Sequence, residues 1–171
     1  MRTAVEAKMS TAAELCQNVQ DLFGEAVSRA LADIFSEMIP LPLGAAGDVE
    51  KRPEQFEDGF SALVGFVGDR RGLFGIHCNR ELGQQCYQAM LGMDDDGTDE
   101  DIRDLVGEVA NMLAGGVKAF LLDTGMSIEI AVPQVFSGGR YQVYLPAGGR
   151  WNGWVFQVND AEILVELKLL D

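Results

Sequence analysis

An eight-residue stretch occurs twice in this chain and sets the outline of what it can fold into. Asp21-Leu-Phe-Gly-Glu25-Ala-Val-Ser28 returns 83 positions later as Asp104-Leu-Val-Gly-Glu108-Val-Ala-Asn111, with D-L-x-G-E kept in both copies. Each copy lies in an apolar pattern of helical period, and each is followed by runs rich in β-branched and aromatic residues. A helix followed by strands, twice over, points to a duplicated unit. Most of the strand runs are separated by turns rather than by crossover helices. The expected architecture is therefore α+β, with long helices packed on a largely antiparallel sheet. A chain of 171 residues suits one such domain with a sizeable core, spanning residues 1–171, with the first ten expected to be flexible.

Local signals place the elements. Thr11-Ala-Ala-Glu14 has the form of a capping box, which would start a helix that runs to about Met38 and is stopped by Pro40. Residues 39–43 read as a short edge strand, because proline cannot donate to a ladder, and the polar residues 44–58 read as a loop. Residues 62–67 and 73–78 flank Gly68-Asp-Arg-Arg-Gly72 as a hairpin. Asn79 is placed to cap a second helix ending near Gly92. Thr98 caps a third, with the acids after it at the positive end of the helix dipole. Beyond Gly125, residues 127–136, 140–145 and 151–170 are strand runs. Turns are expected at Ser137-Gly-Gly139 and Ala147-Gly-Gly149, with a fold-back at Asn159-Asp160.

Charge and cysteine usage narrow the function classes. A formal net charge of −14 opposes nucleic-acid binding, which needs a basic footprint. Three cysteines without a CxxC pair suit reduced thiols better than a disulfide framework. The opening MRTAVEAKMSTAAELC lacks the apolar core of a signal peptide. No run approaches the roughly 18 uncharged apolar residues of a membrane span. These features lead to the expectation of a soluble, cytoplasmic protein that binds neither nucleic acid nor membrane. No metal site is expected. In Asp94-Asp-Asp-Gly-Thr-Asp the glycine that a calcium loop needs at its sixth position is Asp99, and its twelfth residue is Leu105. His77, the single histidine, reads as structural, and Trp151 and Trp154 as core or dimer contacts.

The third helix carries the chemistry. At about 100° per residue, Ile102, Leu105, Val106, Val109, Leu113, Val117 and Phe120 share one face. Asp104, Glu108, Asn111 and Gly115 share the opposite one. Asp104 and Glu108 repel by ~0.2–0.5 kcal/mol as an i,i+4 pair. Gly115 and Gly116 each cost roughly 1 kcal/mol against alanine. The line is either a solvated face or a docking face to which the glycines admit another backbone. In the second case Glu108 can hold a cation while Asn111, which does not ionise, orients a water by hydrogen bonds. That pair suits attack by water on a phosphoryl group whose metal and leaving group belong to a partner.

The pattern D-x-x-x-E-x-x-N-x-x-x-G, here Asp104, Glu108, Asn111 and Gly115, resembles the active-site signature of the CheC/CheX chemotaxis phosphatases. The similarity in layout extends from about Asp21 to Leu170 and includes the 127–136 strand and the Gly68–Gly72 hairpin region. The resemblance implies a CheC-like fold and hydrolysis of the aspartyl phosphate on a CheY-like response regulator. It implies that Asn111 orients the water and Glu108 pairs with the receiver's lysine, with Asp104 and Gly115 as supporting, partner-binding parts. Mg²⁺ would belong to the receiver, with no cofactor on this chain, and the protein would be a homodimer. In the first copy Ser28 stands where the amide should be and Ala32 where the glycine should be. That station is expected to be inactive, which favours the one-station CheX type over the two-station CheC type. The alternative is a non-catalytic receiver-binding or flagellar-switch-like module. The presence of both Glu108 and Asn111 argues for the enzyme. A dimeric scaffold with a merely solvated polar line is a third reading.

Overall fold

The computed structural model describes the backbone of residues 5–171 and the side chains of residues 18–171. Helix α1 (Val5–Glu37) is already formed six residues before Thr11. The side chains of the expected capping box lie outside the described residues, as do the first four residues of the start expected to be flexible, while residues 5–10 of it are helical. Phe23, Val27, Leu31 and Ile34 give α1 a buried stripe at i, i+4, i+8, i+11. Pro40 ends the helix as expected, but the following residues do not become a strand: Ile39 turns inward and is buried. Strand β1 is instead Leu43–Asp48, and β2 (Gln55–Gly68) starts well before the expected Ala62. The expected 44–58 loop therefore shrinks to the stretch between β1 and β2.

The hairpin of β2 with β3 (Arg71–Asn79) forms around Asp69-Arg70. Asn79 caps α2 (Arg80–Leu91) by accepting a hydrogen bond from the Leu82 amide, and Gly92 closes it in the left-handed conformation. Thr98 and Asp101 form a reciprocal capping box at the head of α3 (Asp99–Asp123). Length and composition would let α3 cross a membrane, but its apolar stripe, from Ile102 to Leu121, is buried in the core.

The strand run after Gly125 divides differently from expectation. It is broken at 131–133 into β4 (Ile128–Ile130) and β5 (Gln134–Gln142). Pro133 has no N–H to give to a ladder, so a break there has a covalent cause. Gly138 and Gly139 do not turn; β5 runs through them in register with β2, Gly138 opposite Gly59. The fold-back at Asn159, in the left-handed region at φ 52°, joins β6 (Arg150–Val158) to β7 (Ala161–Leu170) as expected.

Among the described residues seven strands form one antiparallel sheet in the order β1-β6-β7-β3-β2-β4, with β5 also on β2. The order confirms the internal repeat. β3 and β7 pair at the centre, each carries its own hairpin partner, and the outer strand of each half pairs with the hairpin of the other. The glycine shared by the two D-L-x-G-E copies has the same use in each. A Cβ on Gly24 would stand 3.3 Å from Trp154, and one on Gly107 would stand 3.2 Å from Val135. Glycine lets each helix lie close on the strands of the second half.

The helices cover one sheet face; a polar centre fills the other. Glu166 is buried at 1% exposure and accepts hydrogen bonds from Arg52 Nε (2.7 Å) and Nη2 (3.0 Å), His77 Nε2 (2.8 Å) and Trp151 Nε1 (2.7 Å). His77 Nδ1 lies 2.6 Å from the Ser61 hydroxyl, which lies 2.7 Å from the Tyr141 hydroxyl. Phe56 stacks on the imidazole with centroids 4.2 Å apart. Ser-His-Glu is also the order of a nucleophile relay, but Ser61 is wholly buried, so a substrate carbonyl cannot reach it. His77 is a structural histidine. Burial opposes ionisation of Glu166, but the donors from His77, Arg52 and Trp151 outweigh it and bring its carboxyl down to about 2.

Candidate functional site

Helix α3 is fixed to α2, to β2 and to the second-half strands at several points. At its head Arg80 bridges Asp99 and Asp58, the latter at 2.8 Å, and the pairing lowers the Asp99 carboxyl below its usual range. Arg103 donates to the Val135 carbonyl and the Ser137 hydroxyl, each at 3.1 Å. Two turns past Asn111, Lys118 reaches Glu129 at 2.7 Å. The Arg103 and Lys118 ties hold the helix alongside the broken strand pair β4–β5.

Between the ties lies a shallow groove of about 810 Å³. Its helix wall is Arg103, Asp104, Gly107, Glu108 and Asn111; the opposite wall is the 130–135 segment, where the strand is interrupted at Pro133. Asp104, Glu108 and Asn111 are exposed. Among the described residues none of their three side chains has a hydrogen bond or ion pair within the chain. The groove thus presents two carboxylates and one carboxamide whose bonding capacity is open to water or to a partner. The sequence line correctly brings these three together. The wall they face was not foreseen, although Pro133 in a strand run was its available signal.

The paired glycines have different causes. A Cβ on Gly116 would meet that of Ala30 at 2.7 Å, so this glycine lets α1 and α3 touch. A Cβ on Gly115 would meet nothing within 4 Å. Gly115 lies one turn beyond Asn111, outside the groove lining, and nothing in the chain's own packing requires it to be glycine. The expected result is opposite effects of the same substitution. Gly115→Ala should raise stability by up to ~1 kcal/mol through helix propensity. Gly116→Ala should destabilise, because overpacking costs ~1–3 kcal/mol against that same gain. Urea unfolding of the two variants checks both signs.

The first copy is also outward. Asp21 and Glu25 are exposed, Ser28 is half-buried and Ala32 is exposed. A groove of about 420 Å³ lies beside Ser28 and Ala32, walled opposite by Leu41 and β1. Trp154 is core, while the Trp151 indole is spent on Glu166. Among the described residues no group of three His, Cys, Asp or Glu side chains is placed to hold a metal ion.

The sequence model of the family described as "Chemotaxis phosphatase CheX" matches residues 60–155, more than half of the chain and inclusive of Asp104, Glu108, Asn111 and Gly115. The chain belongs to this family. Among solved structures it is similar to the chemotaxis protein CheX of Vibrio vulnificus, at 28% identity and a TM-score of 0.77, covering 86% of this chain and 98% of that one. It is similar to CheX of Desulfovibrio desulfuricans at 26% identity and a TM-score of 0.75, again over 86% and 98%. The CheX of a CheX–CheY–BeF3–Mg²⁺ complex from Borrelia burgdorferi shares the fold at 22% identity and a TM-score of 0.69, over 87% and 98%. No curated protein matches by sequence. The CheX membership accounts for the α+β sheet with its two long helices, and makes the protein a chemotaxis phosphatase rather than a binding module alone.

Proposed function

We propose that this CheX-family protein hydrolyses the aspartyl phosphate of a CheY-like receiver domain, with Glu108 and Asn111 as the working pair. The observation that carries the reading is the open bonding capacity of both side chains on one outward groove. Asn111 holds a water by donating to its oxygen and accepting from one of its protons. That water attacks phosphorus in line with the acyl oxygen, the P–O bond to the aspartate breaks, and the carboxylate leaves with the bonding pair. Both of the water's protons end on the released phosphate, one on the attacking oxygen and one on a neighbouring phosphate oxygen. Glu108 receives an ammonium from the receiver and so fixes the approach, with Asp104 and Gly115 as neighbouring parts of the contact. Mg²⁺ belongs to the receiver in this scheme, as the composition of the Borrelia complex suggests for its own pair. One cytoplasmic domain over residues 1–171, acting as a homodimer, completes the proposal.

The experiment is phosphate release from a panel of phosphorylated CheY-like receivers, with and without the protein. Unaltered release across the panel would sink the assignment. Within it, Glu108→Lys should place a cation against a cation, raising KM at least about tenfold, and more steeply at low salt than at high. Unchanged KM and turnover for a folded Glu108→Lys protein would return the line to a solvated face.

A further inference from the structure

We infer that Arg29 closes the first station to a receiver, by holding a cation where the receiver's own cation would have to sit. The inference rests on the reading of Glu108 given above. The internal repeat supplies its control, because the same chain carries an open and a closed station. Glu25 corresponds to Glu108, and the residue four further on is Arg29 in the first copy but Met112 in the second.

That single difference changes the state of the carboxylate. Arg29 Nη2 lies 2.9 Å from Glu25 Oε1 across one helical turn. The same guanidinium sits over the Phe120 ring, 5.1 Å from its centroid, which gives it a second hold. Glu108 has no such neighbour, since Met112 is neutral and part-exposed at 37%. A groove persists beside Ser28 and Ala32, and Glu25, one turn before Ser28 and outside that lining, is itself exposed. Its carboxylate already has a cation, and an approaching ammonium would meet Arg29 before it met an unshared charge. The serine and alanine substitutions remove the water-holding amide and narrow the approach; Arg29 acts earlier, on docking. Glu25→Ala should accordingly leave hydrolysis almost unchanged.

The test moves the cation in both directions, using a CheY receiver loaded with beryllium fluoride and Mg²⁺ for docking and a phosphorylated receiver for turnover. Met112→Arg should pair with Glu108, raise KM about tenfold or more and weaken docking, while Met112→Gln stays within about twofold of the parent. In a Glu108→Ala background, which closes the second station, Ser28→Asn with Ala32→Gly should not dock the receiver. Adding Arg29→Met to that set should restore docking, at a new stoichiometric site on α1. Equal docking with and without Arg29→Met would overturn the role given to Arg29, as would Met112→Arg behaving like Met112→Gln. If Glu108→Ala alone leaves docking intact, the reading of Glu108 fails first, and separately.

Discussion

Replacing Asn111 by alanine is expected to lower receiver dephosphorylation by about 10²–10³-fold while the protein stays folded and still docks. The magnitude is that of removing one hydrogen-bonding group that acts at the transition state. The separation from stability follows from position. Asn111 is exposed, its side chain makes no hydrogen bond within the described residues, and it lies opposite the buried stripe of Leu105, Val109, Leu113 and Val117. Single-turnover phosphate release isolates the loss, and docking of a beryllium fluoride-loaded receiver shows that it lies in turnover. A folded Asn111→Ala protein hydrolysing at nearly the parental rate would remove Asn111 from the mechanism.

The other large effect lies on the far face of the sheet and concerns stability. Glu166→Ala strands the Arg52 guanidinium, the His77 Nε2 and the Trp151 indole N–H together, and should cost ~3–5 kcal/mol. For a chain of this size that corresponds to a fall in Tm of roughly 6–20 °C. Its pH dependence has a definite sign. The carboxyl sits near 2 in the folded protein, below its unfolded value of 4.5. The stabilisation is therefore full above the unfolded value and is lost as pH falls toward 2. Denaturant unfolding of parent and Glu166→Ala at pH 7 and near pH 2 should show a wide gap that narrows. A gap independent of pH would mean that lost packing, not the ionised carboxylate, accounts for the cost.

Neither Glu166 nor its partners could be read from the sequence as a unit. Glu166 alternates with Val165 and Leu167, which looks like the solvent side of a strand, and Arg52 is 114 residues away. Only the stacking of β3 beside β7, and the return of the chain over that face, make it buried. β1 was missed for a related reason. Gly44-Ala-Ala46 has little strand propensity of its own and is held by β6, far along the chain. Features with local causes were legible: Asn79 and Thr98 at helix heads, the hairpin at Asp69-Arg70, the fold-back at Asn159. The polar line of Asp104, Glu108 and Asn111 was legible too, since 3.6-residue periodicity is a local property. Its facing wall was not, because a groove needs two elements brought together by the whole sheet.

The exchange of outer strands between the halves has a consequence for how such a molecule can change. A half-length chain would leave its hairpin edge bare and its first strand without a partner, so it could complete this sheet only by lending that strand to a twin. Joining the two copies makes the loan internal and permanent, and from then on either half is committed to the other. The outward side of each long helix, however, owes nothing to that commitment. Substitutions there neither weaken the shared sheet nor are corrected by it. A chain of this design can let one helix specialise while the other falls silent, keep a spare surface for later use, or recover it by a few outward changes, all on an unaltered frame.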